Sequence, residues 1–245
     1  TGDNAIVVKG GTDVHTRTRE EIKIGVPYGT LPRLITAGIT TEAKRTKSRE
    51  IQLGLSLTHF LNQLGLQVTG GQNGTIGRVK EQLYRLAHCE IGYKRVGEDS
   101  QKIKKEFRHY KLIEGGEFWD WKVPNQLEIF GSYIQLNSSF YDILMERPVP
   151  VDMRALKALK SSALALDLYM WLTYRASSGK GTVLNWEQVM NQLGAEYTET
   201  KNFARKVKKY LKIIKTFWPE LNYRTPYGRF QLLECSPHIK KKSSE

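Results

Sequence analysis

The chain has 245 residues, with 38 Lys and Arg against 25 Asp and Glu, a formal charge of +13. Its longest uncharged apolar runs, such as Ala163–Leu166, fall far short of the ~20 residues that span a membrane, and its two cysteines, Cys89 and Cys235, cannot build a disulfide framework. What is left is a basic protein of a reducing, cytoplasmic compartment, whose charge points first to a polyanion, nucleic acid before an acidic membrane surface.

Residues 1–25 carry no readable role and count as an N-terminal extension. The chain opens at Thr1 rather than Met, as a processed or trimmed product would, and no charged-then-apolar leader announces a signal peptide. From Thr30 to about Arg45, Leu31, Leu34, Ile35, Ile39 and Ala43 fall at helical spacing, with Pro27 and Pro32 near the start, where proline is tolerated. Arg49–Leu53 alternates as a short strand. Ser56 is expected to cap a helix running to Leu64 and stopped by Gly65. After the glycines at 70, 71 and 74, a helix is predicted from Thr75 to about Ala87, with Ile76, Val79, Leu83 and Leu86 on one face. Glu90–Val96 and Lys102–Ile113 read as strands joined by a turn at Gly97–Ser100. Leu127–Leu136 reads as a strand and Ser138–Met145 as a short helix, and Pro148 and Pro150 mark a boundary.

The same order then returns. Ala163–Ala176 is expected as a helix with Leu164, Leu168, Trp171 and Leu172 inward, Thr182–Trp186 as a strand, and Glu187–Leu193 as a helix ended by Gly194. Thr198 is expected to cap a long helix to about Phe217, closed by Pro219, and Asn222–Leu233 is expected to form a hairpin turning near Pro226-Tyr227-Gly228. Phe60–Gly65 recurs as Val189–Gly194 at an offset of 129, and Arg78–Leu83 resembles Lys206–Leu211 at an offset of 128. Matched order and spacing imply an internal duplication. Helix, strand, helix, turn, helix, hairpin is the order of a winged helix-turn-helix. The expected fold is therefore α+β, with two such domains in tandem: 26–125 and 151–236, with 126–150 connecting them and 237–245 a basic tail.

Residues 151–245 carry 17 basic and 8 acidic side chains, +9 of the net charge, and seven bases with no acid fall within Lys201–Lys215. In a helix-turn-helix the second helix enters the major groove, so it needs one apolar and one basic face. Phe203, Val207, Tyr210, Leu211, Ile214 and Phe217 supply the first. Lys201, Arg205, Lys208, Lys212 and Lys215 supply the second, flanked by Asn202 and Lys209. Arg205, Asn202 and Arg78 are candidates for base edges and the lysines for phosphates. In the first copy, Thr75, Arg78, Lys80, Gln82 and Arg85 would form the exposed face, with Gln72 and Asn73 before it. Arg224 and Arg229 flank the second hairpin turn. Lys94, Arg95, Lys102, Lys104 and Lys105 lie on the first, and the run Lys44, Arg45, Lys47, Arg49 is either solvated or on phosphate. The two recognition helices would enter successive major grooves about one turn, ~34 Å, apart.

No catalytic or cofactor site is expected. The histidines at 15, 59, 88, 109 and 238 are scattered, and His88-Cys89 lacks zinc spacing. Gly74-Thr75-Ile76 departs from a phosphate-binding loop, and the Glu-x-Lys triplets at 21–23 and 42–44 read as structural.

Several longer motifs carry a resemblance. Pro27-Tyr28-Gly29-Thr30-Leu31-Pro32-Arg33, Thr46–Ile51, Thr69-Gly70-Gly71 with Gly74-Thr75-Ile76, Pro148–Asp152, Arg154–Leu159 and Ala165–Tyr169 with Trp171–Arg175 resemble the plasmid-encoded RepA-type replication initiators over residues 26–200. The resemblance implies a protein that binds double-stranded origin DNA and recruits a host initiator and helicase. It further implies binding to direct repeats (iterons) as a monomer and repression of its own gene as a homodimer. It fades in the hairpin after Leu86 and in the last 45 residues, where base specificity would be read. A plasmid transcriptional repressor, a nickase or nuclease, and a protein-interaction module are the rival readings.

Overall fold

The computed structural model describes residues 3–53, 62, 65–67, 69, 74–99, 102–117, 132–146 and 149–239. The architecture is mixed α+β and divides into two units, Thr1–Arg147 and Pro148–Glu245. The expected helix from Ser56 to Leu64 apart from Asn62, the loop at Gly70–Asn73, most of the expected strand before Tyr133 and the tail lysines 240–242 lie outside the described residues, although Gly65 takes the left-handed φ of 66° of a helix stop.

The first unit begins with strands β1 (Asp3–Lys9), β2 (Thr12–Val14) and β3 (Glu21–Lys23), so the segment without a readable role is built into the fold. Helix α1 (Leu31–Thr46) buries Leu31, Leu34, Ile35, Ile39 and Ala43, the residues its periodicity selects. Pro32 sits in its first turn, where a missing N–H costs no hydrogen bond. In β4 (Glu50–Gln52) Ile51 points inward between two exposed neighbours. Helix α2 (Thr75–His88) packs on α1, burying Val79, Leu83 and Leu86. Strands β5 (Glu90–Asp99) and β6 (Lys102–Lys111) pair from Glu90↔Lys111 to Asp99↔Lys102. Gly97, Glu98 and Asp99, expected in the turn, are therefore strand residues: continuous ladder bonding outweighs their weak strand propensity. Strands β7 (Ile113–Glu117) and β8 (Tyr133–Leu136) and helix α3 (Ser138–Glu146) complete the unit. Its sheets run β1-β5-β6, β2-β3 and β4-β8-β7.

The second unit opens with α4 (Met153–Leu159), a helix the sequence reading passes over. The Asp152 carboxylate caps it by accepting from the Arg154 N–H at 2.8 Å. Helix α5 (Ala163–Ser177), capped by Ser162, buries Leu166, Leu168, Tyr169 and Leu172. Leu164 and Trp171, expected inside, are only half-buried, because the buried arc centres on 165, 168, 169 and 172 instead. Strand β9 (Thr182–Asn185), helix α6 (Trp186–Gln192), helix α7 (Thr200–Phe217) and strands β10 (Tyr223–Arg224) and β11 (Arg229–Leu232) follow, with sheet order β10-β11-β9. Trp218, Tyr169, Phe203 and Phe230 are fully buried. His238 stacks on Trp218 with ring centroids 5.5 Å apart, and its Nδ1 lies 2.6 Å from the Tyr169 hydroxyl. Burial pushes that hydroxyl up to about 12. The two units differ in pairing: β9 joins its own hairpin strand β11, whereas β4 joins β8.

Candidate nucleic-acid interface

Helix α6 is held at its start by a reciprocal cap. The Gln188 N–H donates to the Asn185 side chain at 2.7 Å, and the Asn185 N–H donates to the Gln188 side chain at 2.9 Å. Gly194 ends the segment at φ 58°, a conformation costly for residues with a Cβ. Helix α7 starts at Thr200 with Glu199 in the capping position, so Thr198, the expected cap, stands outside it. Glu199 makes no side-chain cap bond, and its carboxylate accepts from the Asn202 amide at 2.9 Å.

Along α7, Phe203, Ala204, Val207, Leu211 and Ile214 are buried, while Lys201, Asn202, Arg205, Lys208, Lys209, Lys212 and Lys215 are exposed. The burial follows directly from the apolar spacing. Tyr210 and Phe217, expected in the same stripe, are half-buried at its margin. Lys208 holds its ammonium over the Trp186 ring at 5.6 Å, while Lys215 bonds the Leu221 carbonyl at 3.0 Å and lies over Tyr223. Lys215 is thus tied to the start of the hairpin, and Lys201, Arg205, Lys208 and Lys212 carry the open face.

That face is one wall of an open cleft of about 1110 Å³. The N-terminal turn of α6 and the hairpin tip Tyr227-Gly228 complete it. The tip is closed by the Arg229 N–H donating to the Pro226 carbonyl at 3.1 Å, with Gly228 at φ 71°. Arg224 and Arg229 are both exposed on the flanking strands. No acidic side chain lies on α7, and the cleft's one carboxylate among its lining residues is Glu187.

The first unit places its candidates differently. Gln82 is 3% exposed, and its Oε1 accepts from the Tyr28 N–H at 2.9 Å, so it is a core residue and not part of an exposed face. Arg85 bonds Glu81 at 2.8 Å and the Val26 carbonyl at 3.2 Å and lies over the Tyr28 ring, so its guanidinium is spent on holding the chain before α1. Thr75 is half-buried and bonded to Thr69, and Lys80 is half-buried with a partner of its own. Arg78 is the candidate that stands exposed. The two helices were read by the same pattern. The difference is that α2 carries the chain before α1 on the face that α7 leaves open.

Other candidates also resolve. Arg45 is paired with Glu42, Lys44 donates to the Met145 carbonyl at 3.1 Å, and Arg49 donates to the Leu136 carbonyl at 3.0 Å and pairs with Glu114, while Lys47 stays exposed. Lys94 is exposed; the side chains of Arg95, Lys102, Lys104 and Lys105 lie outside the described residues. Among the described residues no three His, Cys, Asp or Glu gather as a metal site, and no helix is long and apolar enough to cross a membrane. The sequence reading missed Tyr227 as part of this surface. The signal for Tyr227 was present in its place within a Pro-Tyr-Gly turn.

The model of the family described as plasmid encoded RepA protein matches residues 26–188. No curated protein matches the chain in sequence. The crystal structure of RctB domains 2-3 is similar over 96% of this chain and 93% of that one, with a TM-score of 0.56 at 12% identity. Domain 2 and domain 3 of RctB in selenomethionine form give a TM-score of 0.60 at 11% identity, over 95% of this chain and 92% of that one. These two likenesses are likenesses of fold.

Proposed function

The chain belongs to the plasmid-encoded RepA family of replication initiators, and from that premise we propose that it binds double-stranded origin DNA through the cleft of its second unit. Each unit is read as a winged helix-turn-helix. In the second, α5, β9, α6, α7 and the β10–β11 hairpin supply its parts. The reading rests on one observation: Lys201, Arg205, Lys208 and Lys212 share an acid-free face of α7 that opens on a cleft walled by a hairpin tip with Arg224 and Arg229 beside it.

In this reading α7 enters the major groove. Lys201, Lys208, Lys209 and Lys212 meet phosphates and supply most of the affinity, while Arg205 and Asn202 face base edges. Arg78, exposed on α2, is the first unit's candidate for a base edge. In this reading the origin carries regularly repeated sites, the bound chain recruits a host initiator and helicase, and the duplex is bound and not cut. Helix α7 begins at 200, beyond the matched residues, so its base contacts are read from its own side chains and not from the family match.

The test is a titration of the full chain with duplex taken from the DNA flanking its gene and with an unrelated duplex. The flanking duplex should bind about a thousandfold tighter or more, and supercoiled plasmid with magnesium should stay uncut. No binding even at low salt would defeat the proposal. Binding without support for replication of an origin plasmid would favour a repressor.

A further inference from the structure

Resting on the reading that the cleft holds duplex DNA, we infer that Tyr227 is a wedge that the hairpin inserts into the minor groove, where its ring parts one base step. Tyr227 is 104% exposed and makes no hydrogen bond or ring contact among the described residues. Its hairpin neighbours Tyr223 and Phe230 instead stack on each other, with ring centroids 6.4 Å apart.

The exposure is imposed by backbone. The Arg229 N–H donates to the Pro226 carbonyl, and Gly228 takes a φ of 71° at the third position of the turn, where a type II turn requires a left-handed residue. Tyr227 therefore holds the second position, and its side chain projects off the tip. The two strands that carry the turn present Arg224 and Arg229, both exposed. Tyr227 also lines the cleft together with the basic face of α7.

An aromatic tip on a hairpin whose strands carry two exposed arginines is the combination that a minor-groove element needs. The groove's negative potential draws the cations in, and an apolar ring then unstacks a step that a cation alone would leave closed. Phosphate binding would need only the arginines. The ring is extra to it, and no hydrogen bond or ring contact among the described residues uses it.

The experiment uses the full chain and the protected duplex from the DNA flanking its gene, with 2-aminopurine placed in turn at each step. Wild type and Tyr227→Phe should raise the fluorescence at one step. Tyr227→Ala should abolish the rise and bind about tenfold more weakly at an unchanged salt slope, since no phosphate contact is lost. Arg229→Ala should lower the slope by about one. No rise at any step with wild type, or equal affinity of wild type and Tyr227→Ala, overturns the wedge and leaves the DNA reading standing. Absence of binding by wild type overturns both.

Discussion

On α7 the Arg205 guanidinium donates to the Asn202 side-chain carbonyl, Nη2 to Oδ1, at 3.2 Å, and the Asn202 amide donates in turn to Glu199 at 2.9 Å. Residues i, i+3 and i+6 thus tie an otherwise many-rotamer arginine to the first turn of the helix. The Glu199 carboxylate stands at the helix N-terminus, where the dipole favours a negative charge.

Asn202→Ala should free Arg205 and cost discrimination more than affinity. We expect binding to the flanking duplex to fall roughly tenfold or more, while an unrelated duplex binds nearly as before. Competition between the two duplexes measures this. An equal loss on both would make Arg205 a phosphate contact.

Lys208→Ala with Lys212→Ala removes two charges from the cleft wall. Binding to every duplex should weaken. The slope of log affinity against log salt should flatten by about two, since each phosphate contact contributes roughly 0.9. A titration at several salt concentrations checks it, and an unchanged slope would remove both lysines from the interface.

Gln82→Leu acts on the fold. It leaves the Tyr28 N–H, part-buried and 2.9 Å from the Gln82 side chain, without its acceptor. The expected cost is about 1–3 kcal/mol, read by urea unfolding, with the salt slope of DNA binding unchanged.

Asp152 sets a pH-dependent term. Hydrogen bonds from Arg154 hold its carboxyl below the ordinary 3.8, so its contribution is present above that value and is lost as pH falls through the depressed one. The Arg154 side chain is 89% exposed, so water screens the ion pair and the cap to the Arg154 N–H dominates. Asp152→Ala should cost about 1 kcal/mol at neutral pH. Its gap from wild type should narrow below pH 3.8, as urea melts at pH 7 and pH 3 would record.

Helix α7 was legible because its apolar residues recur every three or four positions and the bases between them stay exposed. The same logic misplaced Gln82 and Arg85. Their partners, the Tyr28 N–H and the Val26 carbonyl, lie more than fifty residues away in sequence, and a helical period says nothing about a chain segment crossing the polar side. β1 escaped notice for a like reason: its ladder joins Lys9 to Glu90, a pairing with no local signature. Helix α7 takes Glu199 and not Thr198 in its capping position, with no side-chain cap bond there, so a preference for capping side chains had nothing to find.

Footprinting the full chain on the DNA flanking its own gene tests the central claim most directly. The cleft of the second unit, in a RepA-family chain, predicts regularly spaced protected segments that disappear with Lys208→Ala and Lys212→Ala in a fold that melts like wild type. Uniform cleavage along the whole fragment at low salt would contradict it.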